Sequence, residues 1–390
     1  MSYPTIFLKA GKDGPLKARH PWVYAGAVDA SRTGEAPAGP VEVRDDKENL
    51  IGVGTYSPTS AIAVRMFAFE DARLDEAFFR ARFGSALALR RAVLPADTDG
   101  YRLVNSEGDG VPGLVVDSFA GHLVVQVGTA GIDALTHAWL PALLASARPL
   151  SIRSRADQSA ANREGMEAPR GTLAGDPPQR TDIREAGLAF TVDLEHGQKT
   201  GFFFDHRENR RLVASLARGR NVLDGFSHTG AFACNALAAG AKRVVAVESS
   251  EAAAALLDEN VRRTGRREAC EIATGDCFEL VRKGGETFDI VILDPPSLAK
   301  RRQHVDRAAR AYKDLFLHGL RRVSPGGFLL ACSCSGAVDR RLFDQIVFAA
   351  ALDAGRPVRV LARRGAAPDH PVSVYHPEGE YLKALLLAVQ

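Results

Sequence analysis

From residue 221 onwards the chain alternates short apolar runs with amphipathic stretches, and this alternation constrains the fold more than any other feature. Several strings read as strands: NVLDGF, RVVAVESS, EIATGD, FDIVILDPP and GGFLLACSCS. The strings between them read as helices: AFACNALAAG, EAAAALLDENVRRTG and AARAYKDLFLHGLRRV. Near-continuous apolar strands that alternate with helices predict a mostly parallel sheet, buried on both faces. Ligands of such sheets bind outside the carboxyl ends of the strands.

The N-terminal part of the chain has a different pattern. GPVEVRD, LIGVGTYS and AIAVRMFAF read as short strands with turn residues between them, which predicts a small β-rich module. LDEAFFRARFGSALALRRAVL then predicts a helix, and GLVVDSF with HLVVQVG predicts a hairpin. The polar segment 151–182, rich in Arg, Gly, Pro and Ala, is either a linker or an irregular part of a middle domain.

Composition narrows the class of protein. The 390 residues allow two or three globular domains, and the net charge of +3 permits an anionic partner without requiring one. No apolar run is long enough to span a membrane, and the N-terminal residues lack the apolar core of a signal peptide. Five cysteines, an odd number, do not form a disulfide framework. These features predict a reduced, cytoplasmic protein.

The string VLDGFSHTGAFACNA places a small-residue loop between a strand and a helix. Asp224 ends the strand, Ser227, His228 and Thr229 lie in the loop, and the helix begins near Gly230. Backbone N–H groups at a helix start favour a polar or anionic group. This loop lacks the G-x-G-x-x-G pattern of nicotinamide sites, because Ser227 stands where the middle glycine should be, and no Gly-Lys-Ser/Thr of a P-loop follows it. An acid at this strand end suits a cationic, amino-acid-like ligand, and an ordinary turn is the alternative.

Acidic residues also end the following strands. Glu248 is placed to accept two ribose hydroxyls, a feature that dehydrogenases and methyltransferases share. Asp276 can accept a hydrogen bond from an adenine amino group, although it could instead be an ordinary helix cap. Asp294 precedes Pro295 and Pro296, which fix a rigid turn and hold the acid over the sheet edge.

Together these motifs resemble those of class I S-adenosylmethionine-dependent methyltransferases. Further strings along the whole chain are FLKAGKDGPLKARHPWVYAGAV, YRLVNSEGDGVPGLVVD, GQKTGFFFDHRENR, DPPSLAK, AYKDL, CSCSG and PEGEYLK. With them the chain is similar to the PUA-domain-containing ribosomal RNA large-subunit (cytosine-5) methyltransferases. The resemblance implies an α/β fold: a β-rich PUA RNA-binding domain over 1–72, a central α/β domain over 73–190 and a Rossmann-like methyltransferase domain over 191–390.

The same resemblance implies the ligands and their contacts. The cofactor would be S-adenosyl-L-methionine and the partner 23S rRNA, with no membrane or metal involved and a homodimer allowed. Expected cofactor contacts are Phe203, Arg207, Asp224, Ser227, His228, Thr229, Gly230, Glu248, Ser249, Asp276 and Cys277. Expected RNA contacts are Lys17, Arg19, His20, Trp22, Lys300, Arg301 and Arg302.

Each of these sets has a structural alternative. The N-terminal module could bind protein or be purely structural, with the tryptophan of HPW filling the barrel. The charges after DPPSLA could form a solvated helix face, and the aromatic residues of GFFFDHR could pack over the sheet.

The two cysteines of LLACSCSG raise the question of a nucleophile. Carbon 5 of cytosine becomes nucleophilic only after a thiolate has added to carbon 6. Cys334 fits the position of the family's nucleophile, and Cys332, deeper in the same strand, is expected to be packing. Asp294 would stabilise the activated ring. Some relatives carry a second catalytic cysteine where this chain has Ser297, so the chemistry would depend on one thiol.

Other interpretations remain open from the sequence. Cys334 could be a buried structural thiol, whereas Cys-x-Cys lacks partners at metal-ligand spacing. The enzyme could methylate nitrogen 7 of guanine or another base nitrogen, although Ser297 lacks the aromatic ring that amino-group methylation of adenine typically uses. The chain could also be a non-catalytic rRNA-binding assembly factor.

Overall fold

A computed structural model describes residues 3–155, 157–167, 171–299 and 302–390. Within these residues every helix is too short or too polar to cross a membrane. The chain divides into two compact units. Unit 1 comprises Met1–Thr181, Asp193–Gly201 and Pro368–Gly379, and unit 2 comprises Asp182–Val192, Phe202–Ala367 and Glu380–Gln390.

Unit 1 begins with a β-rich module. Its elements are β1 (Thr5–Phe7), α1 (Gly14–Lys17), β2 (Trp22–Tyr24), α2 (Ala30–Thr33), β3 (Gly39–Arg44), β4 (Leu50–Tyr56) and β5 (Ile62–Ala68). The strands form a sheet in the order β1-β3-β4-β5-β2. Buried and half-buried residues alternate along β3, so Val41 and Val43 enter the core while their neighbours face outward. The predicted β-rich module is confirmed.

A second module of unit 1 follows. Its elements are α3 (Glu76–Val93), β6 (Gly100–Asn105), β7 (Leu114–Phe119), β8 (His122–Val127), α4 (Ala130–Asp133), α5 (Thr136–Ala147), β9 (Ser151–Ser154), α6 (Gln158–Glu164) and β10 (Gly171–Gly175). The sheet order is β10-β9-β8-β7-β6, and β7 and β8 form the predicted hairpin. The polar segment that could not be assigned from sequence supplies β9 and β10, which pair antiparallel. Composition did not reveal them because β9 has only four residues and β10 is short and largely exposed.

Unit 2 contains the predicted alternation of strands and helices. Ahead of its main sheet, β11 (Arg180–Glu185) pairs with β12 (Leu188–Asp193). The main elements are α7 (Arg207–Ala217), β13 (Asn221–Gly225), α8 (Ala231–Ala238), β14 (Arg243–Glu248), α9 (Glu251–Arg263), β15 (Cys270–Thr274), α10 (Cys277–Lys283), β16 (Phe288–Leu293), α11 (Val305–Arg321), β17 (Val323–Ser333), α12 (Arg340–Ala354), β18 (Val358–Arg364) and β19 (Lys383–Val389).

The main sheet has the order β15-β14-β13-β16-β17-β19-β18. Strands β13 to β17 pair in parallel, and β19 is antiparallel to β17 and β18. Val291 and Leu329 are fully buried in the core that α11 and α12 share with the sheet. The strand order reverses between β13 and β16, which is where ligands bind in sheets of this type. The strand ends that carry the predicted site residues therefore meet at one edge.

Candidate active site

The loop after β13 has a backbone that few residues adopt. Phe226, His228 and Gly230 all have positive φ angles, of 63°, 51° and 84°. A Cβ atom at Gly225 would lie 2.7 Å from the Cys277 sulfur, so only glycine fits there. Such strained backbone persists where the surrounding structure fixes it, and it clusters at ligand sites. The backbone of this loop therefore allows a ligand to come close to it at the start of α8.

Glu248 is held in place by this loop. Its Oε2 accepts a hydrogen bond from the His228 N–H at 2.8 Å, and its Oε1 accepts one from the Ser250 N–H at 2.8 Å. A carboxylate oxygen has two lone pairs, so Oε2 keeps acceptor capacity for one hydroxyl. The exposed Ser249 lies beside the carboxylate, and its hydroxyl donates to Oε1 at 3.4 Å. This geometry suits a ribose hydroxyl at Oε2.

Asp224 is buried at the carboxyl end of β13. Its Oδ2 accepts the Ala233 N–H of α8 at 3.0 Å. Burial raises the pKa of Asp224 to about 7, because the charged form loses hydration. Ser227 and Thr229 are buried in the same loop, and the Ser227 hydroxyl donates to the Asp224 carbonyl at 2.6 Å. A cationic ligand group near Asp224 would favour the ionised carboxylate, because it would act as its counter-charge.

The loop after β15 contributes an exposed acid and a buried thiol. Asp276 caps α10, its Oδ1 accepting the Phe278 N–H at 2.7 Å. The Cys277 side chain lies in the hydrophobic core, and burial raises its pKa to about 12. Phe278 and Phe226 are half-buried and pack edge to face, with ring centroids 5.4 Å apart. These rings offer apolar surface beside Asp276, where the sequence predicts an adenine.

The turn before α7 brings an aromatic ring to the β13 loop. Phe203 is half-buried and packs against the His228 ring, with centroids 5.0 Å apart. Arg207 is fully buried, and its Nε lies 3.2 Å from Glu185 Oε2. Arg210 binds the same carboxylate through two hydrogen bonds of 2.8 and 2.6 Å. Arg207 is thus part of a buried ion-pair cluster, and its expected cofactor contact stays a prediction.

The ends of β16 and β17 bring together an acid, an imidazole and thiols. His206 Nε2 lies 3.1 Å from Asp294 Oδ2, and the Cys332 sulfur lies within 4.8 Å of both ligand atoms. Burial lowers the pKa of His206, but the charge and hydrogen bond of Asp294, with the charge of Asp205, outweigh it and raise that pKa overall. Asp294 keeps about a quarter of its side-chain surface exposed, at 24%. It can therefore meet a base from solvent.

The two thiols of the CSCSG string differ in environment. Cys332 is fully buried in β17, and burial raises its pKa well above the ordinary value. Cys334 follows the last residue of β17 and is half-buried, with its sulfur 3.9 Å from the Pro295 carbonyl oxygen. The expectation that Cys332 is the enclosed thiol is confirmed.

Ser335 anchors the loop that carries Cys334. Its hydroxyl lies 3.2 Å from the Ser297 hydroxyl and 2.9 Å from the Tyr312 hydroxyl, and it accepts the Ala299 N–H at 3.1 Å. Its carbonyl accepts a hydrogen bond of 2.7 Å from Lys383 Nζ. These contacts tie the DPPSLA turn, α11 and β19 to one backbone position. Ser297 is therefore one of the residues that hold the loop of Cys334 in place.

The expected RNA contacts that are described lie in unit 1. Lys17 is exposed and forms an ion pair of 2.6 Å with Asp13. Arg19 has a φ of 61° and lines a cavity of about 230 Å³. Lys300 and Arg301, and the Arg302 side chain, lie outside the described residues.

Two further expected RNA contacts belong to an aromatic cluster in unit 1. His20 Nε2 lies 3.2 Å from Glu378 Oε2. The Trp22 indole N–H donates to Glu107 Oε1 at 2.8 Å, and its ring lies 4.4 Å from that of His376. Trp22 is half-buried in this cluster, so RNA contact at these positions stays a prediction.

The sequence did not single out several residues of this site. His206, and Tyr381 with its 2.5 Å hydrogen bond to Asp205 Oδ2, support the acid and the strand ends. Lys383 contacts the residue after Cys334. All lie within the strings GFFFDHR and PEGEYLK, but nothing in those strings indicates which side chain reaches the site.

Comparison with known families identifies the class. A family model described as S-adenosylmethionine-dependent methyltransferase matches residues 141–386, and one described as a PUA-like domain matches residues 6–69. The protein is an S-adenosylmethionine-dependent methyltransferase with a PUA-like N-terminal domain.

The curated relatives narrow this class. Proteins named Ribosomal RNA large subunit methyltransferase I are 39% identical in Alteromonas mediterranea, over 98% of each chain, and 37% identical in Photobacterium profundum, over 99% of each chain. The chain belongs to the ribosomal RNA large subunit methyltransferase I family.

Solved structures show the same fold. A Streptococcus mutans protein described as a SAM-dependent methyltransferase superposes with a TM-score of 0.84 at 20% identity, over the whole of both chains. A methyltransferase structure complexed with SAH superposes with a TM-score of 0.85, also at 20% identity. The residues at the strand ends fit this class of cofactor, because Glu248 Oε2 keeps acceptor capacity for a ribose hydroxyl and Gly225 admits no side chain.

Proposed function

We propose that the protein methylates carbon 5 of cytosine in 23S rRNA through a covalent bond between Cys334 and carbon 6 of the base. Two findings support the substrate: the relatives are named as large-subunit rRNA methyltransferases, and the N-terminal domain is PUA-like. The observation that carries the chemistry is the half-buried Cys334 thiol at the sheet edge that also holds Asp294.

The first step needs a thiolate at Cys334. Its sulfur forms a bond to carbon 6. The electron pair of the carbon 5–carbon 6 double bond moves towards carbon 5, which becomes nucleophilic. S-adenosylmethionine, when bound, supplies the methyl group to carbon 5. Loss of the carbon 5 proton to a base restores the double bond and expels the Cys334 sulfur. The protein therefore returns to its starting state.

Asp294 is proposed to hold the activated ring. A carboxyl group at this position can hydrogen-bond to nitrogen 3 of cytosine, where the added charge accumulates, or to the amino group beside it. His206 fixes the orientation of Asp294 by a contact of 3.1 Å and is itself held at 3.1 Å from the Asn209 side chain. An acid held by a buried partner loses little freedom when the base binds.

The remaining site assignments are proposals of the same kind. We assign the RNA to the KARHPW segment and to the basic stretch after DPPSLA. The cofactor contacts that we propose are those expected from the sequence: Phe203, Arg207, Asp224, Ser227, His228, Thr229, Gly230, Glu248, Ser249, Asp276 and Cys277. The domain limits at 72 and 190 stay predictions. None of the five cysteines, all of them described, is in a disulfide, which agrees with the proposed cytoplasmic location.

Product mapping tests the proposal. We expect bisulfite sequencing to find a 5-methylcytosine in 23S rRNA that disappears when the gene is deleted and returns with the wild-type gene. Cys334→Ala should abolish methyl transfer while it retains S-adenosylmethionine binding, and Cys332→Ala should keep transfer as the matched control. A methyl group on a guanine or adenine nitrogen, or full activity of Cys334→Ala, would overturn the cytosine-5 proposal. A folded wild-type protein without cofactor binding would favour an assembly factor.

A further inference from the structure

Lys383 is a buried lysine at the start of β19. It pairs in register with Ser333 of β17 and exposes only 2% of its surface. Its Nζ donates to the Ser335 and Tyr381 carbonyl oxygens, both at 2.7 Å. Ser335 is the residue after Cys334, so the ammonium lies against the backbone that presents the thiol.

The hydrogen-bond partners of this ammonium are backbone carbonyl oxygens. An ammonium group has three donors, and carbonyl oxygens take two of them here. Among the residues that the structure describes, Lys383 forms no ion pair with a carboxylate. Burial lowers the pKa of Lys383 to about 8, and negative charge on Cys334 acts in the opposite direction. A buried charge without a counter-charge is costly, which indicates that a negative group completes the site.

We propose that Lys383 is a positioning residue whose ammonium stabilises the Cys334 thiolate. This rests on the proposed function, in which that thiolate attacks carbon 6. The Cys334 S–H bond breaks, its electron pair stays on sulfur and the proton passes to solvent water. Lys383 keeps all three of its protons. The ion pair would raise the thiolate fraction at neutral pH, before RNA binds.

The other charged groups around the thiol oppose this effect or have acidic partners of their own. Asp294 follows the neighbouring strand β16, and its negative charge disfavours a thiolate, whereas the buried Cys332 of β17 is a neutral thiol. Tyr312 contacts Ser335 from α11. The remaining charged groups with an influence on Lys383 are Asp339, Arg340 and Glu380. Arg340 forms an ion pair with Glu380 and His206 pairs with Asp294, whereas Lys383, among the residues that the structure describes, donates to the backbone beside Cys334.

Alkylation of the full chain without RNA tests this inference. The rate of Cys334 modification by iodoacetamide, read by mass spectrometry against pH, reports its thiolate, and Cys334→Ala is the blank. We expect the wild-type midpoint to lie below the ordinary cysteine value of about 8.5. Lys383→Met should raise the midpoint by about one pH unit and slow alkylation at pH 7 about tenfold. Lys383→Arg, which keeps the charge, should restore most of the shift.

The outcomes separate this inference from the function on which it rests. A wild-type midpoint at or above about 8.5 would overturn the ion pair without any variant. An unchanged midpoint in a Lys383→Met protein that still binds S-adenosylmethionine would also overturn it. A lowered midpoint in an enzyme that methylates a base nitrogen would contradict the cytosine-5 proposal and leave the ion pair standing.

Discussion

At the residue scale, we predict that Asp224 makes cofactor binding depend on pH. Its buried carboxyl has a pKa of about 7 and lies at the strand end where the cationic part of the cofactor is expected. A nearby cation lowers that pKa, so binding at pH 6 must release a proton that binding at pH 8 does not. We predict about tenfold weaker S-adenosylmethionine binding at pH 6 than at pH 8, measured by calorimetry.

The matched control is Asp224→Asn, which retains the shape of the side chain but cannot ionise. Its affinity should depend on pH only through the titration of the cofactor itself. Equal pH dependence in both proteins would show that Asp224 does not carry the linkage.

The contribution of His206 to the stability of unit 2 also depends on pH, and it is larger at low pH than at high pH. Its pKa is raised in the folded state, so its interaction with Asp294 stabilises fully below the unfolded pKa of about 6.5. That contribution is lost as pH rises through the raised folded value. We predict that His206→Gln lowers the free energy of unfolding by about 1–3 kcal/mol at pH 6 and by less at pH 9. Denaturant unfolding at both pH values checks this, and an equal loss at the two values would contradict it.

At the element scale, the loop between β13 and α8 depends on Gly230. A Cβ atom there would lie 2.8 Å from Leu257 Cγ, and the φ of 84° is itself unfavourable for other residues. We predict that Gly230→Ala weakens cofactor binding at least tenfold because the loop must shift. Gly219→Ala is the matched control, since Gly219 has a φ of 72° but open space around it. Similar cofactor affinities of the two variants would refute the role of close packing in this loop.

The elements that the sequence predicted are those with a strong local pattern. Strands β13 to β17 are apolar runs that end in acids or small residues, so both the strands and the edge at which Asp224, Glu248 and Asp294 lie could be inferred. Strand β18 was missed because VRVLARR is largely exposed and rich in arginine. Lys383 was missed for another reason: its contact with Ser335 spans 48 positions, and sequence patterns carry no such information.

At the scale of the whole molecule, RNA binding should depend on salt. A net charge of +3 and an exposed Lys17 in the PUA-like domain favour contacts with phosphates. We predict that Lys17→Glu weakens rRNA binding and reduces the dependence of log Kd on log salt by about one. Cofactor binding should not change. Lys47→Glu, an exposed change in the same domain outside the KARHPW segment, should have a smaller effect. Equal effects of the two variants would show that rRNA binding depends on net charge alone and not on the KARHPW segment.

The central claim is a covalent bond between Cys334 and cytosine, and trapping that bond is its most direct test. RNA with 5-fluorocytosine at the target position allows addition and methyl transfer, but the fluorine cannot leave as a proton does. With S-adenosylmethionine present, we predict a protein–RNA adduct that survives denaturation, and mass spectrometry should locate the attached nucleotide on Cys334. The Cys334→Ala protein should form no adduct. Methyl transfer to ordinary RNA without any adduct on the fluorinated RNA, or an adduct at another residue, would contradict the account.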